Sequence, residues 1–472
     1  MLYPILVTPL VADDFLNPFF QYSNTQGGYW NSILFGWDTA FNGASMRLAG
    51  NVSSAVLNNL WLDLAGNSLI SLSEFYAIQK YVVFILCGFS LSYFFGAVLV
   101  SLGHDITLLK RTMLCSLVFF STLQIHGLWS NDPVSSYPMS GFMVAAIGFY
   151  LLGWAAYTSL RPTTLRILTL LVLCVTSVFY YEILAGVGVL TFLVLISPIS
   201  RVNVRRSIGR IFLSATPAIA TILAMTLSRM HTAAQSANYG GTSIALGGKT
   251  LKTFVLGLIS SLPASAWRVT AQFLGGGVTI KLVSIATLAL AVVVGLWEFP
   301  TISEFTRPFK TQNRPLFRTL ILSLIGFWFF AVGLQSLTEK VQNETGKLGY
   351  VYSYYAIGSA SVAVLMSLSV VFISQKSFNF RITLFSCFLL FATIQGSITW
   401  RISEQMSNSL IPNRTLLAAF SNFDTVPKRC QALRNWSAGN WPQYYEDGMI
   451  QGLQEASLGF HQEPFCPNFI NP

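Results

Sequence analysis

The sequence predicts an all-α polytopic membrane protein with about eleven transmembrane helices, and two observations support this. First, 53% of the residues are hydrophobic and only 10% are charged, whereas soluble domains carry roughly 25% charged residues. Second, the apolar residues fall in blocks of roughly 18–25 residues, the length that a helix needs to cross about 30 Å of hydrocarbon. Helix is the expected form because backbone groups in lipid must be satisfied within the segment.

The apolar blocks give the approximate bounds of each span. The predicted spans are 1–12, 76–101, 112–128, 138–160, 167–182, 184–200, 211–228, 281–297, 319–337, 356–375 and 382–400. The first block is too short to span, and it opens at Met1 without a basic flank. We expect that the native start lies upstream or that this helix is incomplete. A secretory signal peptide is the alternative, and the missing basic region and cleavage site count against it.

The distribution of Lys and Arg predicts the orientation, because short cytoplasmic loops are enriched in both. One set of alternate connections holds half of the chain's 28 Lys and Arg residues and only three acidic residues. These cytoplasmic connections are 104–111, 161–166, 201–210, 298–318 and 376–381. The net charge of +10 is therefore mostly a topology signal, and we expect no nucleic-acid partner.

Three segments on the opposite, non-cytoplasmic side are long. The first loop, 13–75, is rich in aromatic residues, and its stretch 44–62 suits a helix lying on the bilayer surface. The segment 229–280 contains a second interfacial candidate. The polar tail, 401–472, predicts a small cap on the transmembrane domain, 1–400. Cys430 and Cys466 are the only two cysteines in the tail, and an oxidising compartment would let them form a disulfide.

Acidic residues at the outer boundary are scarce, so they are candidates for chemistry. Asp13 and Asp14 end the first span, and Glu182 ends the fifth. Ionisable groups at such depth are expensive and indicate function by default. The alternatives are a solvated helix-end pair for the two aspartates and a water-facing hairpin acid for Glu182. Asp132 lies in an Asn-Asp-Pro sequence, which is a common turn.

Basic residues on the outer side are also few. Arg229 and His231 end the seventh span, Arg268 lies in the interfacial segment, and Lys281 begins the next span. Together they could hold a phosphate at the headgroup plane, because Arg favours two-pronged phosphate contacts and Lys acts as a point charge. The alternative is ordinary contact with anionic lipid, or side chains that extend to the membrane surface.

Two short motifs resemble a known family. Ala12-Asp13-Asp14 at the end of a first helix, then a long aromatic loop containing Gly43 and Arg47 in a G-x-x-x-R spacing, resembles the GT-C membrane glycosyltransferases. More loosely, it resembles their O-antigen-modifying glucosyltransferase branch. The resemblance implies a GT-C-like fold, a polyprenyl-phosphate sugar donor and an envelope glycan or lipid acceptor. It also implies that Asp13 is the catalytic base.

The resemblance extends to the remaining candidates as expectations. An inverting transfer would use the outer basic residues to hold the donor phosphate, with Arg47 and Asp132 supporting the acceptor or the loop. Glu182 would orient the acceptor or help to bind a divalent metal (Mg or Mn), which some relatives use and others do not. The expected location is a bacterial inner membrane with the site facing outward. A transporter or flippase for a lipid-linked or anionic substrate, and a non-catalytic scaffold, are the rival classes.

Overall fold

The structure is a computed structural model of the whole chain, and it describes most of the sequence. The described residues are 13–43, 46–104, 107, 112, 114–116, 118–119, 140–199, 207–235, 243–265, 313–344, 354–373, 378–439, 441, 443–467 and 469. Within these ranges the chain is helical, and Ile244 and Thr338 form one isolated β-bridge. The predicted all-α class is therefore confirmed for the described part of the chain.

Sixteen described helices follow one another along the chain, with a short 3-10 turn at Glu182–Leu184. They are α1 (Asp13–Thr25), α2 (Tyr29–Asn42), α3 (Leu48–Gly66), α4 (Leu72–Ser101), α5 (Gly141–Leu160), α6 (Thr164–Tyr180), α7 (Ala185–Ile196), α8 (Ile208–Gln235), α9 (Gly248–Ser260), α10 (Arg314–Ser336), α11 (Glu339–Glu344), α12 (Tyr354–Ile373), α13 (Phe378–Ser409), α14 (Ile411–Ser421), α15 (Val426–Ser437) and α16 (Gln443–His461).

Four of the described helices are long and apolar enough to cross a membrane. They are Leu72–Ser101, Gly141–Leu160, Ile208–Thr232 and Arg314–Ser336, and they match four of the predicted spans. Shorter apolar helices cover Thr164–Tyr180, Glu182–Ile196 and Ala356–Phe372. The predicted spans at 1–12 and 281–297, and most of 112–128, lie outside the described residues. The chain is thus a helical membrane protein, and the number eleven stays a prediction.

The ends of the long helices follow from local sequence. At the start of α4, the Ser71 hydroxyl accepts a hydrogen bond from the Glu74 amide, and the Glu74 carboxylate accepts one from the Ser71 amide. This reciprocal pair satisfies two backbone donors that a helix start leaves open. After α4, Gly103 adopts a φ of 82°, a conformation that glycine takes without strain. The apolar helix α4 therefore ends just before Gly103, where the chain changes direction.

Aromatic rings pack the centre of the transmembrane part. Phe149 of α5 contacts Phe94 of α4 at 5.4 Å and Phe327 of α10 at 5.5 Å between ring centroids. Gly148 makes room for this contact, because a Cβ there would lie 2.4 Å from the Phe327 ring. Small residues let helices approach closely inside a membrane. These three helices therefore form one tightly packed unit.

A second core joins the first loop to the C-terminal tail. Phe19 of α1 packs edge-on against Phe420 of α14 at 5.1 Å, and Phe15 stacks on Trp436 of α15 at 5.9 Å. A disulfide between Cys430 and Cys466 closes the tail, as the sequence predicts. The tail therefore packs against the first loop. The domain boundary at residue 400 stays a prediction, and α13 continues through that position to Ser409.

The first loop corrects one expectation. The stretch 44–62 was expected to lie on the bilayer surface, but no residue of α3 is exposed. Asn58, Asn59, Trp61 and Leu62 are buried, because α3 packs between α2, α1 and the tail. Among the described aromatic residues of this loop, the exposed ones are Phe20 of α1 and Tyr29, Trp30 and Trp37 of α2. In the segment 229–280, α8 extends to Gln235 and α9 ends at Ser260, and positions 266–280 lie outside the described residues.

Candidate functional site

The candidate site is built around an ion pair between the first loop and the junction of two apolar helices. Arg47 precedes the first residue of α3, and Glu182 opens the 3-10 turn between α6 and α7. Arg47 Nε donates to Glu182 Oε2 at 2.6 Å, and Arg47 Nη2 donates to Oε1 at 2.9 Å. Both carboxylate oxygens are therefore occupied by one guanidinium, in the two-pronged geometry that gives strong pairs.

Tyr181 positions both partners of this pair. Its backbone is extended, with φ −156° and ψ 126°, so α6 ends there and the chain turns before α7. The Arg47 guanidinium carbon lies 4.3 Å from the centre of the Tyr181 ring, a cation–π distance. The side chains of Arg47 and Glu182 retain 29% and 15% exposure, so the pair is neither fully buried nor fully solvated.

The C-terminal end of α8 brings two more predicted residues to this place. Arg229 is close enough to interact electrostatically with Glu182, and its side chain is half-buried. A ring nitrogen of His231 hydrogen-bonds the Phe41 carbonyl oxygen at the end of α2. The two rings of His231 and Phe41 also meet edge-on, 5.8 Å apart.

We call Arg47, Glu182 and Arg229 the charge cluster, and His231 follows two positions after Arg229 on α8. The cluster has two guanidinium groups and one carboxylate, so its net charge is positive. It lies where a candidate membrane span, Ile208–Thr232, ends. A positive site at a membrane boundary favours an anionic group, and Arg matches the geometry of phosphate or carboxylate.

The structure describes the other predicted site residues incompletely. Asp13 and Asp14 form the first turn of α1, and their side chains are not among those the structure describes. Asp132, Arg268 and Lys281 lie outside the described residues. Whether these five join the charge cluster stays a prediction.

Metal binding also stays open. Among the described residues, no group of three or more His, Cys, Asp and Glu side chains could hold a metal ion. Glu182, the predicted metal candidate, has both oxygens bonded to Arg47.

Two features of the cluster go beyond the sequence expectation. The structure pairs Arg47 directly with Glu182, and the expected support of the acceptor or the loop by Arg47 stays a prediction. Tyr181 was not singled out, although it immediately precedes Glu182 in the sequence. The signal in the sequence was the position of Tyr181 beside Glu182, because an aromatic ring next to an acid can bind the same cationic side chain.

The fold and the cluster together define a class of protein: a membrane protein whose described part is helical, with a net positive cluster at the end of one candidate span. Comparisons with known proteins give no further assignment, because no protein-family model, no curated protein and no solved structure matches the chain.

Proposed function

We propose that the protein is a membrane glycosyltransferase that moves a sugar from a polyprenyl-phosphate donor to an extracytoplasmic envelope glycan or lipid. The observation that carries this proposal is the convergence of Arg47, Glu182 and Arg229 at the end of a membrane span. A lipid phosphate bound there would keep its chain in the bilayer and its sugar in the aqueous phase. The acidic pair at the start of α1 supplies the carboxylate that the resemblance requires.

The charge cluster fits the leaving group of such a reaction. When the bond between the anomeric carbon and the phosphate oxygen breaks, the electron pair stays on the phosphate, whose negative charge grows. Cationic groups fixed in advance at that position stabilise the transition state. Arg229 is the central candidate, because Arg47 already shares its charge with Glu182.

Glu182 takes a positioning role in this proposal. A general base must accept a proton from the acceptor hydroxyl within hydrogen-bond reach, but both oxygens of Glu182 already accept from Arg47. Glu182 therefore fixes the Arg47 guanidinium, and Asp13 is the proposed base. The acceptor oxygen loses its proton to Asp13 and attacks the anomeric carbon from the face opposite the phosphate, so the configuration inverts.

The decisive experiment uses the purified full-length protein in liposomes that contain a polyprenyl-phosphate sugar, with an extracted envelope glycan outside. We expect labelled sugar to appear on the glycan. Movement of the donor between leaflets without transfer would favour the flippase class. If several donors and acceptors are tested and neither transfer nor movement is detected, the result would favour the scaffold.

Donor binding tests the cluster separately. Arg229→Ala should weaken binding of the polyprenyl-phosphate sugar by about tenfold or more, because a hydrogen bond to a charged group contributes about 1.5–3 kcal/mol. Arg434→Ala is the matched control, since Arg434 is exposed on α15 in the tail. Equal donor affinity in both variants would remove Arg229 from the phosphate site.

A further inference from the structure

Helix α2 has an inverted distribution of side-chain size. Its buried residues are small: Ser32, Gly36 and Ala40. Three of its large apolar residues face outward, with Trp30 69%, Leu34 50% and Trp37 52% exposed. A helix on the surface of a soluble protein normally turns its apolar stripe to the core. Here none of the residues that the structure describes covers the apolar stripe.

The small face of α2 is already committed to α3. A Cβ on Gly36 would lie 2.6 Å from the Val52 Cα, so the two backbones touch at this point. Neither helix can rotate to bury the tryptophans without losing this contact. The exposed stripe is therefore a fixed feature of the packed first loop.

Both ends of α2 are also anchored. At its start, Tyr29 lies close to the Asp63 carboxylate of α3, and burial followed by this carboxylate raises the pKa of Tyr29. At its end, the Phe41 carbonyl bonds His231, which adjoins the end of the candidate span Ile208–Thr232. The end of α2 therefore lies level with the end of a span, at the boundary of the membrane.

The length and chemistry of α2 exclude a crossing and favour the interface. Its 14 residues extend about 21 Å at 1.5 Å per residue, which is less than the roughly 30 Å of hydrocarbon. Tryptophan is enriched at headgroup level, where its ring is apolar and its N–H is wet. The single charged residue of the helix is Asp38, whose carboxylate accepts from the Asn42 side chain at 2.5 Å.

We infer that α2 lies along the membrane surface and inserts Trp30, Leu34 and Trp37 into the boundary between headgroups and acyl chains. The lipid bilayer is the partner of this face. The helix would then hold the neighbouring charge cluster at the depth of the lipid headgroups. This inference depends on the spans of α4, α5, α8 and α10 and not on glycosyl transfer, so either can fail without the other.

Spin labelling of the full-length protein in liposomes tests the inference. Leu34→Cys and Asp38→Cys, each in a Cys387→Ser background, carry one nitroxide within the apolar stripe and at its polar edge, respectively. Cys387 is replaced because its thiol is exposed, whereas Cys87, Cys115 and Cys174 are buried. Collision with oxygen, which concentrates in lipid, is compared with collision with a water-soluble nickel chelate.

We expect the ratio of oxygen to nickel collisions to be higher at position 34 than at position 38, and Trp30→Cys to behave like position 34. Equal ratios at all three positions, with nickel dominant, would overturn the inference by placing the stripe in water. An immobilised label at 34 that couples magnetically to a second copy would overturn it in favour of a dimer contact.

Discussion

Arg47 and Glu182 lie 135 positions apart in the chain, and their side chains form two hydrogen bonds of 2.6 and 2.9 Å. This pair ties the first loop to the junction of α6 and α7. Its partners are partly buried, with 29% and 15% of their side chains exposed. Breaking it therefore leaves a charge that water reaches only in part, which is more costly than breaking a surface pair.

Glu182→Gln should lower the free energy of unfolding by about 1–3 kcal/mol, because the charge-assisted pair is lost and the Arg47 charge is left half-buried. Thermal unfolding in detergent measures the change. Asp447→Asn is the control, since Asp447 is exposed on α16 and its loss should have little effect. A double-mutant cycle with Arg47→Met should give a coupling energy clearly above zero. Strictly additive effects would contradict the pairing.

The shared second core predicts that the first loop and the tail lie on one side of the membrane, and the basic loops predict that this side is outside the cytoplasm. Leu69→Cys and Tyr444→Cys, at positions 73% and 78% exposed, should react with a membrane-impermeant maleimide in intact cells. Thr164→Cys, exposed at the start of α6, should react only after lysis. Labelling of Thr164→Cys alone would reverse the orientation and remove the basis of the proposed reaction.

The disulfide between Cys430 and Cys466 closes a loop of 36 positions and should stabilise the tail by about 2–4 kcal/mol. We expect Cys430→Ser to lower the midpoint of thermal unfolding and to remove the mobility shift that wild-type protein shows on reduction. Cys387→Ser, which removes an exposed free thiol, should change neither measurement. An unchanged midpoint in Cys430→Ser would mean that the tail's packing alone holds its shape.

The sequence alone was sufficient to predict the long spans and the disulfide, because both depend on local signals: apolar blocks and a single possible pairing in the tail. It also singled out Glu182, Arg229 and His231 by their scarcity. The partnership of Arg47 with Glu182 could not be predicted, since it depends on how α3 packs against the junction of α6 and α7. The same limit explains the burial of α3, because helical periodicity does not tell whether protein or lipid covers an apolar face.

His461 predicts a pH dependence of the tail's stability. Its ring stacks on Phe423 at 3.7 Å, and burial, followed by the nearby Arg429 charge, holds the pKa of His461 below its usual range, with Glu463 opposing the shift. The unfolded chain therefore binds a proton more readily than the folded one. Stability is complete above the unfolded pKa of about 6.5 and falls as the pH drops toward the lower folded pKa.

His461→Phe should weaken this dependence while keeping a ring against Phe423. We expect the midpoint of thermal unfolding to fall more steeply in the wild type than in the variant between pH 7.5 and pH 5. Parallel profiles would show that other groups cause the loss. A wild type that becomes more stable on acidification, relative to the variant, would contradict the direction of the shift.

The last prediction concerns the proposed base. Asp13 begins α1, in the motif that resembles the catalytic acid pair of GT-C enzymes, and Asp13→Asn keeps the side chain's shape while removing its ability to accept a proton as a base. Transfer from the polyprenyl-phosphate sugar should fall by about 10²–10⁴-fold, with donor affinity unchanged, because the phosphate is held by the charge cluster. Asp14→Asn is the matched control and should lose less activity.

Full transfer by Asp13→Asn would end the assignment of Asp13 as the base. A larger loss in Asp14→Asn would move the base to the second acid, and a loss of donor affinity in Asp13→Asn would point instead to a role in binding, such as holding a metal on the phosphate.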